Sequence, residues 1–136
     1  MAIMNAELIT QSLEMAGERC ADPTQLVYRR LFAAQPEMEA LFVRDADGSV
    51  RGQMLYQVIE TVLDYVGRRH FARGMIRAEV VNHENLGVPP HVFASFFSTV
   101  MEVFRECLGA DWTPAMDNAW AELVTALQAE DCPIRA

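Results

Sequence analysis

The segment from His83 to Phe93, His-Glu-Asn-Leu-Gly-Val-Pro-Pro-His-Val-Phe, holds the residues best placed to do chemistry. A histidine closes one helical stretch there, and a tight Gly-Val-Pro start opens the next. An imidazole held in that way can bind a metal, and beside an apolar slot it can supply the axial ligand of a flat cofactor such as haem. A histidine before a turn is also a common helix C-cap or surface residue, so the segment needs support from elsewhere in the chain. Competing chemistries find none: there is no Gly-x-Ser-x-Gly elbow, no phosphate-cradling glycine loop and no His-Glu-x-x-His zinc motif. His70 and His91 lack a partner at ligand spacing and are expected on the surface, and the 8 methionines read as core filler.

Composition bounds the elements that must position this histidine. A chain of 136 residues can bury one proper core and is too short for two ordinary domains, so a single domain over 1–136 is expected. The 51% hydrophobic content is that of a globular protein, and 11 basic against 19 acidic residues leave a net charge of −8. That charge opposes nucleic acid and anionic membranes as partners. The start, Met-Ala-Ile-Met-Asn-Ala-Glu, has no basic or apolar region of a signal peptide, and no apolar run approaches a membrane span, so a cytoplasmic protein is expected. Cys20, Cys107 and Cys132 are odd in number and far apart, with no Cys-x-x-Cys pair. Neither a disulfide framework, a zinc knuckle nor covalently attached haem is expected.

Apolar residues recur at helical steps almost throughout. Leu8, Ile9, Leu13, Met15 and Ala16 form one stripe, and Leu26, Val27, Leu31 and Phe32 a second. Asp22 as N-cap and Pro23 at the first helical position start the second helix, which runs out at Pro36. A short helical turn over Pro36 to Phe42 and an exposed loop from Arg44 to Ser49 follow. A long helix then buries Leu55, Ile59, Val62, Leu63 and Val66 and ends near Gly67. Further helices are expected from Phe71 to His83, from Pro90 to Leu108 and from Thr113 to Gln128, with Gly109 as a stop and Thr113 before Pro114 as a cap. No segment alternates as a strand. The expectation is an all-α domain of six to eight helices.

The residues in this order resemble a globin. Leu26 to Phe32 followed by Gln35-Pro36-Glu37 and Leu41-Phe42 is similar to the globin B helix, C helix and CD corner, and Trp112-Thr113-Pro114 with Ala119-Trp120 to the start of the H helix. His83, Gly87, Val88, Pro90 and Phe93 sit at the offsets of the F helix, FG corner and G helix. The likeness is greatest to bacterial single-domain globins and the haem domain of flavohaemoglobins. It implies a three-over-three helical arrangement around noncovalent haem b, and a protein that binds dioxygen or another diatomic gas rather than an enzyme. His83 would then be the metal ligand, with Phe42, Val88 and Phe93 against the haem. Tyr28 would be the distal donor, because a hydroxyl in a dry pocket stabilises a bound diatomic that carries partial negative charge. Counting along the long helix places Arg51 and Leu55 over the ligand, with Arg51 ranked above Gln53, and lets Gly52 bring that helix close to the B helix.

The resemblance has departures. Arginine is unusual at the distal position. Phe93 stands where flavohaemoglobins have a tyrosine, and Arg135 falls near their late glutamate, so the polar push on the proximal histidine is expected to be missing. Glu79, one turn before His83, replaces an apolar haem contact. No flavin or nicotinamide domain follows within the chain, so turnover as a nitric oxide dioxygenase or peroxidase would need a separate reductase. A haemless sensor or interaction module is the alternative from another class, marked by a pocket filled by Phe71, Met75 or Met54. Pairing of two copies through the G and H helices is a further expectation, with Phe96, Phe97, Val100 and Phe104 divided between core and interface.

Overall fold

Capping residues set the helix boundaries. The computed structural model describes residues 5–20 and 22–130. Within them lie α1 (Ala6–Arg19), α2 (Thr24–Ala34), a 3-10 segment (Pro36–Phe42), α3 (Ser49–Val66), α4 (Ala72–Asn85), α5 (Pro90–Leu108), a 3-10 turn (Gly109–Asp111) and α6 (Pro114–Glu130). Asp22 Oδ1 accepts from the Thr24 backbone N–H at 3.1 Å and from its hydroxyl at 2.6 Å. Pro23 is therefore the half-in residue, and α2 begins one position later than the sequence suggests. Pro90 opens α5, and Gly109 ends it at φ 52°, where a side chain would be strained. Thr113 Oγ1 accepts from the Met116 N–H at 3.1 Å and caps α6.

The fold is all-α, in two layers of three. Helices α1, α3 and α4 pack side by side over α2, α5 and α6. Between the layers Ile9, Val27, Val103, Leu123 and Leu127 are wholly inaccessible to water. Trp120 is 1% exposed, and its indole N–H donates to Ser12 Oγ at 2.8 Å, whose own proton goes to the Ile9 carbonyl at 2.7 Å. This satisfied polar chain locks α6 to α1 in the driest part of the core. At Gly52 a Cβ would lie 3.8 Å from Thr24 Oγ1, so α3 and α2 do approach closely there.

Two stripe residues fall outside the core. Leu26 is 37% and Leu63 40% exposed, because one residue step turns a helix by about 100° and α3 centres its buried side on Leu55, Thr61, Val62 and Tyr65. A larger correction concerns the cysteines. Cys20, just after α1, and Cys107, near the end of α5, form a disulfide across 87 positions of sequence. Arg19 reinforces the junction, with one guanidinium nitrogen on the Leu108 carbonyl at 3.2 Å and the other paired with Asp111. Cys132 lies outside the described residues, as does Arg135.

The helix that carries His83 is capped from its neighbour. Asp64 on α3 accepts the backbone N–H groups of His70 at 3.0 Å, Phe71 at 2.9 Å and Ala72 at 2.8 Å. Desolvation raises its pKa, but the N–H groups of Phe71, Ala72 and His70 outweigh this and hold the carboxyl below the usual range. A depressed folded pKa contributes stability that is present above the unfolded value and lost as pH falls through the folded one. Asp64→Ala should cost about 1–2 kcal/mol at neutral pH, and the deficit should shrink as pH falls below about 4. Urea unfolding of both proteins at neutral and acid pH reads this, and a deficit that stayed constant would contradict it.

Candidate functional site

An apolar cavity, open to solvent on one side, lies between the α3 and α4 walls. Tyr28 and Leu31 line it from α2, Met38 and Phe42 from the 3-10 segment, and Val92, Phe93, Phe96 and Phe97 from α5. His83 closes one side near the end of α4, with Val88 beyond it in the turn. That turn is held by the Val88 N–H donating to the His83 carbonyl at 2.8 Å, and by Gly87 at φ 98°. Among the described residues no helix is long and apolar enough to cross a membrane.

The tautomer of His83 follows from its partner. Its Nδ1 is 2.9 Å from the backbone carbonyl of Glu79, which can only accept, so Nδ1 carries the proton. In the neutral ring the lone pair is then on Nε2, the nitrogen a metal would use. Phe93 packs on the imidazole with ring centres 4.9 Å apart. It has no hydroxyl to offer, and Glu130, late in α6, is committed elsewhere, accepting from Arg73 and Arg77 at 3.0 Å each.

Tyr28 is 2% exposed, enclosed by the rings of Phe32, Phe42 and Phe96 at 5.9, 5.5 and 5.4 Å. Its hydroxyl has no hydrogen-bond partner among the described residues, the one such buried side-chain atom found there. Leaving a buried hydroxyl unpaired costs about 1–3 kcal/mol, so an orphan of this kind in a cavity wall calls for a ligand. Burial pushes its pKa well up, Arg51 opposing and Asp45 adding to the shift, so it stays protonated and can donate.

The α3 wall differs from the sequence expectation. Arg51 and Leu55 do not line the cavity; Met54, Gln57, Val58 and Thr61 do. Arg51 sits at the start of α3, its Nε 3.0 Å from Asp45 Oδ2 and a terminal nitrogen 2.8 Å from the Asp45 carbonyl. Asp45 also accepts the N–H groups of Val50 at 2.9 Å and Arg51 at 3.0 Å, so one carboxylate both caps α3 and holds the guanidinium outside. Leu55 is 3% exposed and belongs to the core. Gln57, which sequence reasoning passed over, is the α3 amide side chain on the cavity, and Gln53 stays exposed and off its wall. Met54 and Met75 line the space, and Phe71 is 44% exposed outside it. Met75 Sδ receives the Thr61 hydroxyl at 3.1 Å, joining α3 to α4.

The sequence pattern of the globin family matches residues 25–130, more than three quarters of the chain. The chain belongs to the globin family. The matched span takes in every element that lines the cavity of this globin, from α2 (all but its first residue) to α5, and the whole of α6. No curated protein sequence matches the chain. Of the α5 residues expected to divide between core and interface, Phe97, Val100 and Phe104 are buried and Phe96 faces the cavity.

Proposed function

We propose that this globin binds haem b noncovalently through His83 and, with it, reversibly binds dioxygen or another diatomic gas. The observation that carries the reading is the pairing of a histidine whose Nε2 is left for a metal with a buried tyrosine hydroxyl that has no partner, both on one apolar cavity. Haem, when bound, supplies an iron atom able to take up such a gas. The protein's own residues do the rest. Phe42, Val88, Phe93 and Val58 exclude water from the slot, and the Glu79 carbonyl orients the imidazole. Tyr28 offers its proton to a ligand that carries partial negative charge, and Gln57 offers an amide from the α3 side.

The donor role has a direct test in the haem-loaded protein. A hydrogen bond to a partly charged acceptor is worth about 1.5–3 kcal/mol, so Tyr28→Phe should speed dioxygen release by about ten- to a hundredfold. Stopped-flow displacement of dioxygen measures it, and an unchanged off-rate would remove Tyr28 from the role.

A further inference from the structure

Among the described residues Glu79 is the one acidic side chain on the cavity wall, one helical turn before His83. Its carboxylate Oε1 lies 3.4 Å from His83 Nδ1, and its carbonyl 2.9 Å from the same nitrogen. The two acceptors divide the labour. A backbone carbonyl at that place would orient the ring whatever residue stood at 79, so the side chain is not needed for orientation. What it adds is negative charge beside the N–H. No arginine among the described residues pairs with that charge: Arg73 and Arg77 of the same helix are both committed to Glu130. Phe93 covers the imidazole without offering a polar group.

We infer that Glu79 acts through His83 as the electron-donating group of the site. Its negative charge beside the Nδ1–H, which the carbonyl already holds, raises electron density at Nε2, which makes the imidazole a stronger donor to an electron-poor iron. The site then favours ferric over ferrous iron, and among diatomic gases it favours dioxygen, which draws electron density from the metal. Glu79 thereby stands in from α4 for a polar group that neither α5 nor the described part of α6 supplies. The inference rests on the proposed binding of haem at His83. Because the Glu79 side chain is 41% exposed, water screens part of its effect.

The test compares the haem-loaded full chain with Glu79→Gln, which keeps the shape and removes the charge, and with Glu84→Gln, which removes a charge from an exposed place off the cavity. Spectroelectrochemistry should show Glu79→Gln shifting the one-electron equilibrium toward ferrous iron by about threefold to tenfold, a tenfold change being about 59 mV. Resonance Raman of the ferrous form should show a weaker iron–histidine stretch in Glu79→Gln alone. Equal shifts in the two variants, or no shift in either, would overturn the inference and leave haem binding standing. A wild-type chain that takes up no haem would overturn both.

Discussion

His83→Ala should abolish the Soret absorption that the wild-type chain develops on adding haem, and free imidazole should restore it in part. The expectation follows from the geometry. His83 is the only histidine on the cavity wall, with Nδ1 held by the Glu79 carbonyl, so that in the neutral ring Nε2 carries the lone pair. His70 and His91 are exposed and line no part of the cavity. Removing the ring removes the metal's protein ligand, while the side chain carries little of the core and the helix keeps its Asp64 cap. Rescue by imidazole separates loss of the ligand from loss of the fold. A variant that bound haem with an unaltered spectrum would show that another residue holds the iron.

Reduction of the Cys20–Cys107 disulfide should lower stability by about 4–5 kcal/mol, the loop-closure entropy expected for a loop of this length. For a chain of this size that is a fall in Tm of roughly 10–20 °C. The loop from 20 to 107 contains every residue that lines the cavity, so the bond restrains the unfolded form of the whole site. Thermal unfolding of wild type with and without reductant, beside Cys107→Ser, reads the effect. Reductant should shift the wild type and leave the variant alone. Matching curves for wild type in both states would show that the bond contributes nothing.

The contrast between these two predictions shows what the sequence carried. Helix boundaries were legible because prolines, glycines and short polar residues mark them locally: Asp22, Pro90, Gly109 and Thr113 each do in the structure what their chemistry suggests. The wall positions of Tyr28, Phe42, His83, Val88 and Phe93 were legible because their spacing runs through helices and one short turn. The register of α3 was not. That helix has a core side, Leu55, Val62 and Tyr65, and a cavity side, Met54, Val58 and Thr61, and both are apolar enough to look alike in a hydrophobic pattern. Between α3 and His83 the chain also passes a turn where Arg69 at φ 57° and three N–H bonds to Asp64 fix a path no motif announces. Arg51 was then drawn outward by Asp45, a pairing within a loop that sequence shows only as polar. The disulfide was hidden for a similar reason: 87 positions separate its halves, and only the packing of α1 on α5 brings them together.

The most direct measurement is one absorption spectrum of the haem-supplemented, reduced protein, taken with and without carbon monoxide. Iron held by His83 with the Tyr28 side open to a ligand predicts uptake of one haem per chain, a ferrous Soret band, and a shift of that band to shorter wavelength with carbon monoxide. A chain that stays colourless, or a bound haem whose spectrum carbon monoxide leaves unchanged, would contradict it.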